Sequence, residues 1–182
     1  MKRSSPPPPN VPVLEPRSLK GRWLGGPGRR CEDAAVASLK ILSGPWDAAE
    51  IENHLDGSVI PVRLATVGGS GPLVQSLWYR YRDGAIRCST QRASVLVRRL
   101  SVDPRCAFEV ARDDPPYFGV RGTGRAVIDD SDPEPLLRLL IARYLGDGGS
   151  LEERLLSRVD SEVTIRISDL VVSSWDFRNR MS

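Results

Sequence analysis

The chain has 182 residues, of which 40% are hydrophobic and 27% charged, and its formal net charge is +3. This length and composition predict one soluble domain with its own core, and no apolar run approaches the roughly 20 residues of a membrane span. Three cysteines without C-x-x-C spacing and a single histidine, His54, give no zinc-site pattern. We therefore expect reduced cysteines, a cytoplasmic protein and no metal.

The first 30 residues are basic and rich in proline and glycine. Four consecutive prolines at residues 6–9 favour an extended polyproline conformation. We expect residues 1–30 to be disordered or draped over the domain. A basic tail can contact nucleic-acid phosphates, but tails of this composition are more often simply solvated. The sequence therefore does not predict a nucleic-acid partner.

Residues 31–46 precede the region that carries the strand patterns. Apolar residues at helical spacing predict a helix over residues 31–42. Asp47, with Glu50 three residues later, forms a capping-box pattern that predicts a second short helix. We expect the folded domain over residues 47–182, after an extra helix and a linker.

Alternating apolar residues predict three strands over residues 59–91. A glycine-rich turn at residues 68–71 separates the first strand from the second, which is predicted over residues 73–82. Asp83-Gly84 supplies the tight hairpin turn before the third strand. A helix is predicted over residues 93–102.

A polar loop connects the third strand to this helix. It contributes hydroxyl groups, an arginine and free backbone amides at a helix start, which are the features that suit a phosphate group. The candidate phosphate-binding residues are Ser89, Thr90, Gln91, Arg92 and Ser94.

Two further strands are predicted over residues 105–112 and 117–128. The second carries Gly122 and Gly124 on one face. Glycines are tolerated in a strand where a ligand or another backbone comes close, so a bound ligand and a tightly curved barrel are both open explanations. The remaining patterns are a helix over residues 133–145 capped by Asp132, a short helix opening at Ser150, and a closing strand over residues 162–175.

The central stretch RLATVGGSGPLVQSLWYRYRDGAIRCSTQRAS, followed by VRRLSVDPR, resembles the flavin-binding split barrels. The similar families are the pyridoxamine 5'-phosphate oxidase-like proteins and their deazaflavin-dependent relatives, and the likeness covers about residues 47–181. It implies a mainly β (α+β) fold: an antiparallel split β-barrel of the FMN-binding type with peripheral helices. It also implies a bound F-420 (deazaflavin) or FMN and a small-molecule substrate. A small barrel leaves sheet edges and aromatic residues such as Trp78 and Trp175 uncovered, which predicts a homodimer.

The resemblance also assigns roles to individual residues. Gln75, Ser76 and Trp78 match the positions that line the cofactor ring, and the polar loop at residues 89–94 matches the phosphate site. Trp78 has an alternative interpretation as a core or dimer-interface aromatic. The chain departs from its relatives just after Ser94, because they usually carry one or two basic residues where this chain has Val95 and Leu96.

Two functional hypotheses follow. The first is an oxidoreductase that transfers a hydride between bound F-420 or FMN and a small organic substrate. It needs no catalytic acid, base or nucleophile, because the cofactor ring carries the chemistry. The alternative is a non-catalytic split-barrel protein, a degenerate flavin or haem binder that has lost its phosphate anchor. The G-x-G-x-x-G signature of a nicotinamide site is absent, and His54 is expected to be a surface or edge residue.

Overall fold

The structure is a computed structural model that describes residues 39–146 and 149–181. The predictions for residues 1–38 lie outside the described residues. The described residues form eight strands, β1 (Lys40–Ser43), β2 (Val62–Gly68), β3 (Gly71–Leu77), β4 (Tyr79–Arg82), β5 (Ala85–Gln91), β6 (Arg105–Ala111), β7 (Phe118–Asp129) and β8 (Glu162–Asp176). They also form four α-helices, α1 (Ala48–Gly57), α2 (Val95–Val102), α3 (Glu134–Leu145) and α4 (Gly149–Leu156), and two 3₁₀ turns at Val159–Ser161 and Arg178–Arg180.

The order of the strands shows that the sheet is curled into a barrel. Seven strands follow the path β3-β2-β6-β7-β8-β5-β4, and the neighbours along it are antiparallel. In a flat sheet the edge strands β3 and β4 would lie about 30 Å apart, at about 4.8 Å per strand. Only Trp78 separates them in the chain, and one residue spans at most about 3.6 Å. The edges must therefore meet, which confirms the predicted antiparallel split barrel.

The same geometry corrects the prediction of one continuous strand over residues 73–82. The alternation of buried and exposed side chains continues through this segment, but the hydrogen-bonding partner changes at Trp78. β3 pairs with β2, whereas β4 pairs with β5. Periodicity alone cannot reveal such a change, because both strands keep their apolar residues towards the same core.

The helix predicted over residues 31–42 is wrong for its described part. Lys40–Ser43 is a strand, β1, that pairs in parallel with β8, with Lys40 opposite Val171. β5 leaves β8 after Ile167, so one side of the later part of β8 would otherwise expose unpaired backbone groups. β1 satisfies these groups, and this long-range pairing overrides the weak local preference for a helix.

Gly122 and Gly124 of β7 are explained by close packing within the chain. A Cβ atom on Gly122 would lie 2.5 Å from the carbonyl oxygen of Val171, and one on Gly124 would lie 2.7 Å from Cγ2 of Ile167. Both contacts are with β8. Of the two explanations left open by the sequence, tight curvature of the barrel accounts for both residues.

The helices cover the barrel close to where the sequence predicts them. α1 opens with the predicted capping box between Asp47 and Glu50. Pro133, rather than the predicted Asp132, occupies the N-cap of α3, and it makes no side-chain capping bond. No helix of the described residues has the length and apolar character needed to cross a membrane.

Candidate functional site

A cavity of about 410 Å³ lies on the outer face of the barrel, bordered by the ends of β3, β5 and β8 and by α3 and α4. Its volume falls within the range of roughly 300–1,000 Å³ that is typical of small-molecule sites. Six of the eight predicted site residues line it, namely Ser76, Trp78, Ser89, Thr90, Gln91 and Ser94. The fold therefore brings the predicted ring-binding and phosphate-binding segments to one place.

The other two predicted residues lie elsewhere. The Arg92 guanidinium donates to a carboxylate oxygen of Asp130 at 2.6 Å and does not line the cavity. Gln75 neighbours Ser76 on β3, and successive side chains of a strand point to opposite faces. Its side-chain oxygen is buried and has no hydrogen-bond partner among the described residues.

Trp78 forms an aromatic wall of the cavity. Its ring stacks on Tyr144 of α3, with the ring centroids 5.2 Å apart and the planes only 7° from parallel. The Tyr144 hydroxyl lies 3.3 Å from the backbone N–H of Tyr79, which donates to it. Trp78 is half-buried, so it is neither a fully enclosed core residue nor a free surface aromatic.

Arg158 and Glu162 line the same cavity, and no motif in the sequence points to either residue. Glu162 is only 5% exposed, and the Ser89 hydroxyl donates to its Oε2 at 3.0 Å. By alternation along β8 it belongs to the outward set with Thr164, so the pattern predicts exposure. Coverage of this end of the barrel by α3 and α4 explains its burial, and no local pattern signals that coverage.

The start of α2 has Val95 and Leu96 at the positions where the family resemblance implies basic side chains. The Ser94 hydroxyl caps the helix by accepting from the backbone N–H of Val97 at 3.2 Å. Val95 is 41% exposed, but Leu96 is fully buried in the core. A basic residue at position 96 would therefore point into the core rather than towards the loop.

Neither arginine of α2 replaces the missing pair. Arg98 donates to the carbonyl oxygen of Ala93 at 2.8 Å. Arg99 donates to the carbonyl oxygens of Thr66 and Gly71, and so braces the turn between β2 and β3. Among the described residues, Arg158 is the one cation that lines the cavity.

His54 has a structural setting away from the cavity. Its Nε2 lies 3.0 Å from the carbonyl oxygen of Val110, and its ring packs against Trp46 and Phe118 at centroid distances of 5.0 and 5.8 Å. Burial lowers the pKa of His54, partly offset by the hydrogen bond to Val110. The residue is half-buried and tied to the backbone, in keeping with an edge position.

The two described cysteines are buried free thiols. Burial raises the pKa of Cys106 to about 11, and it raises the pKa of Cys88 as well. Both thiols are therefore protonated and unreactive near neutral pH. The described residues contain no group of three or more histidine, cysteine or acidic side chains placed to hold a metal ion.

The curled antiparallel sheet, with helices over one end, is the fold of the flavin-binding split-barrel proteins. Among solved structures, the chain is similar to the conserved hypothetical protein Rv2991 from Mycobacterium tuberculosis, with 28% identity, a TM-score of 0.61, and coverage of 82% of this chain and 92% of that one. It is also similar to an F420 reductase, with 22% identity, a TM-score of 0.51, and coverage of 66% and 94%.

A third similar structure is a putative pyridoxamine 5'-phosphate oxidase from Listeria innocua, with 14% identity, a TM-score of 0.51, and coverage of 65% of this chain and 90% of that one. These likenesses confirm the resemblance found in the sequence and place the chain among the pyridoxamine 5'-phosphate oxidase-like split barrels by fold. No protein-family model matches the chain, and no curated protein matches it either.

Proposed function

We propose that this protein binds a flavin-type cofactor, F-420 or FMN, in the cavity and transfers a hydride between it and a small organic substrate. The observation that carries the proposal is the convergence of Ser76, Trp78, Ser89, Thr90, Gln91 and Ser94 on one cavity. These residues come from two separate segments of the sequence. One segment matches the ring site by family resemblance, and the other has the polar groups that suit a phosphate.

The side chains present fit the parts of such a cofactor. Trp78, held flat by Tyr144, offers a planar wall for a fused ring system. Ser94 and Arg158 offer a hydroxyl and a cation for a phosphate group. The first turn of α2 contains no acidic residue, so the positive end of the helix dipole is not neutralised locally.

The cofactor ring would accept or donate the hydride when it is bound. The contribution of the chain is to bind the ring against Trp78, to orient it, and to keep water from one of its faces. No catalytic acid or base is required. His54 is bonded to Val110, and Cys88 and Cys106 are buried thiols, so none of the three takes part in the proposal.

The alternative, a non-catalytic binding protein, is favoured by the weak anchor. One arginine lines the cavity, where the similar families carry one or two basic residues on the helix itself. A flavin suits the cavity better than haem does, because the single histidine of the chain, His54, is already bonded to Val110.

Titration of the purified full-length protein with FMN and with F-420, followed by absorbance and fluorescence, tests the proposal. We expect saturable binding of one of them. Arg158→Ala should weaken it about 10- to 100-fold, because one charge-assisted hydrogen bond contributes about 1.5–3 kcal/mol. Arg154→Ala, an exposed position of α4 outside the cavity lining, is the matched control. If neither cofactor binds, the proposal fails.

A second measurement separates the oxidoreductase from the binding protein. The protein is loaded with the reduced cofactor, and its oxidation is followed with and without small hydride acceptors. Acceleration by the protein supports the oxidoreductase. Tight binding without acceleration of any acceptor tested supports the non-catalytic alternative.

We also propose that the protein is a homodimer. Small or apolar side chains form a row across five neighbouring strands of the outer face, and we call it the apolar row; its members are Val74, Ala65, Ala107, Thr123 and Val171. Two further cavities of about 620 and 490 Å³, both larger than the candidate cofactor cavity, lie along this row and share Ala65, Ala107 and Thr123. The rim carries both charge signs, including Arg63 and Glu109, so the face can complement a second copy related by a two-fold axis.

A further inference from the structure

Glu162 is a buried carboxylate that is only half satisfied by the chain. It is 5% exposed and lines the cavity. The Ser89 hydroxyl donates to Oε2, but Oε1 accepts no hydrogen bond from any described residue. Oε1 is not among the fully enclosed side-chain atoms of the described residues, so solvent or a ligand can reach it. The cavity therefore presents a strong acceptor that is open to a donor group on a ligand.

The charges of the cavity limit where a phosphate can lie. Among the described residues neither Glu162 nor Arg158 has an oppositely charged side chain within the 4.0 Å of an ion pair. The cavity therefore contains one separate anion and one separate cation. A phosphate beside Glu162 would be repelled at short range, and the repulsion is strong where water is excluded. We therefore expect a phosphate to lie beside Arg158 rather than beside Glu162.

We propose that Glu162 determines the ligand class of the cavity by accepting a hydrogen bond from a hydroxyl group of the polyol chain that joins the ring to the phosphate. This inference rests on the proposed function and specifies the ligand class of the same cavity. The cavity then selects flavins or deazaflavins that have a free polyol chain, and the phosphate contributes less to the affinity. Ser89 is a positioning residue, because its hydroxyl fixes one carboxylate oxygen and leaves the other for the ligand.

Three flavins separate the parts of the ligand. Lumiflavin has the ring alone, riboflavin adds the polyol chain, and FMN adds the phosphate. Each is titrated against the wild-type protein, Glu162→Gln, and the control Glu153→Gln, which removes a charge from an exposed position on the neighbouring helix α4. If the protein binds F-420 and not FMN, the corresponding deazaflavin series of ring, ring with polyol, and full cofactor is used.

Glu162→Gln should weaken riboflavin and FMN by about the same factor, about tenfold, because a charged acceptor makes a hydrogen bond roughly twice as strong as a neutral one. Lumiflavin binding should not change, and Glu153→Gln should match the wild type for all three ligands. Ser89→Ala should weaken the two polyol ligands less strongly, with Ser89→Thr restoring them and lumiflavin again unaffected. The Ser89 variants also keep the test decisive if Glu162→Gln fails to fold.

Three results would overturn the inference while the proposed function stands. In the first, Glu162→Gln tightens FMN alone, which would place the phosphate beside Glu162. In the second, all three ligands weaken together, which is the result of a purely structural role. In the third, no ligand responds. If the wild-type protein binds neither the flavin nor the deazaflavin series, the proposed function fails and this inference fails with it.

Discussion

The cavity and the apolar row lie on the same outer face of the barrel but offer different kinds of surface. β3 contributes to both, because Val74 belongs to the row and Ser76, two residues later, lines the cavity. The helices α3 and α4 cover only the cavity end. Polar groups enclosed there, such as Glu162 and Ser89, select a ligand by its hydrogen bonds. The apolar row offers a partner shape and apolar area, with charged side chains such as Arg63 and Glu109 at its rim.

The largest expected effect tests whether position 96 of α2 can supply a cation to the cavity. Leu96→Lys places a charge where the native side chain is fully buried in the core. An unpaired buried charge costs about 3–5 kcal/mol, so chemical denaturation should reveal a loss of stability of that size. Val95→Lys is the control, since this position is 41% exposed, and its stability should change by less than about 0.5 kcal/mol. A stable Leu96→Lys protein that binds FMN more tightly would show that position 96 faces the cavity and not the core.

The second prediction breaks the apolar row. Ala107 lies at its centre, opposite both Ala65 and Thr123. Ala107→Arg should convert a dimer to a monomer, because two arginines would meet across the two-fold axis and like charges brought together cost several kcal/mol. The change corresponds to about 10²–10⁴-fold weaker association, measured by sedimentation. Val102→Arg, at an 88% exposed position of α2, should remain dimeric. A wild-type protein that is monomeric at micromolar concentration would refute the homodimer itself.

The sequence predicts the general organisation of this face, but it does not predict that Arg158 and Glu162 line the cavity. Alternation and turn residues place the strands, and the capping box at Asp47 places α1, because these signals are local. β1 can pair with β8 because β5 leaves β8 early. Glu162 is buried because α3 and α4 cover this end of the barrel. Those are long-range consequences of closing the barrel. The change of pairing partner at Trp78 cannot be read from the sequence either, because the alternation of apolar residues continues unchanged through this position.

The third prediction concerns the aromatic wall of the cavity. Tyr144→Leu removes the ring that stacks on Trp78 but keeps an apolar side chain. Cofactor affinity should fall about 3- to 10-fold, since an aromatic pair contributes about 0.5–1.5 kcal/mol beyond its buried area. Tyr144→Phe keeps the ring and should retain most of the affinity. Equal losses in both variants would mean that the hydroxyl of Tyr144, rather than its ring, supports the wall.

The smallest effect should come from His54, which belongs to neither surface. Its pKa is lowered in the folded protein because burial disfavours the imidazolium. The unfolded chain, with a pKa of about 6.5, therefore binds a proton more readily. The stability that this residue contributes is complete above that pKa and is lost as the pH falls from about 6.5 through the folded value.

Denaturation of wild type and His54→Gln at pH 7 and pH 5 should show a larger loss for the wild type. Asp176, whose pKa Arg178 holds below its usual range, loses its contribution only at lower pH, and it does so in both proteins. The difference between the two proteins in the stability lost from pH 7 to pH 5 therefore reports the contribution of the His54 imidazole. Because His54 packs against Trp46 and Phe118 rather than the cavity or the row, cofactor affinity and sedimentation should be the same for both proteins at pH 7. A variant that loses FMN binding at pH 7 while its stability is unchanged would place His54 in the function of the cavity and overturn its assignment to a purely structural role.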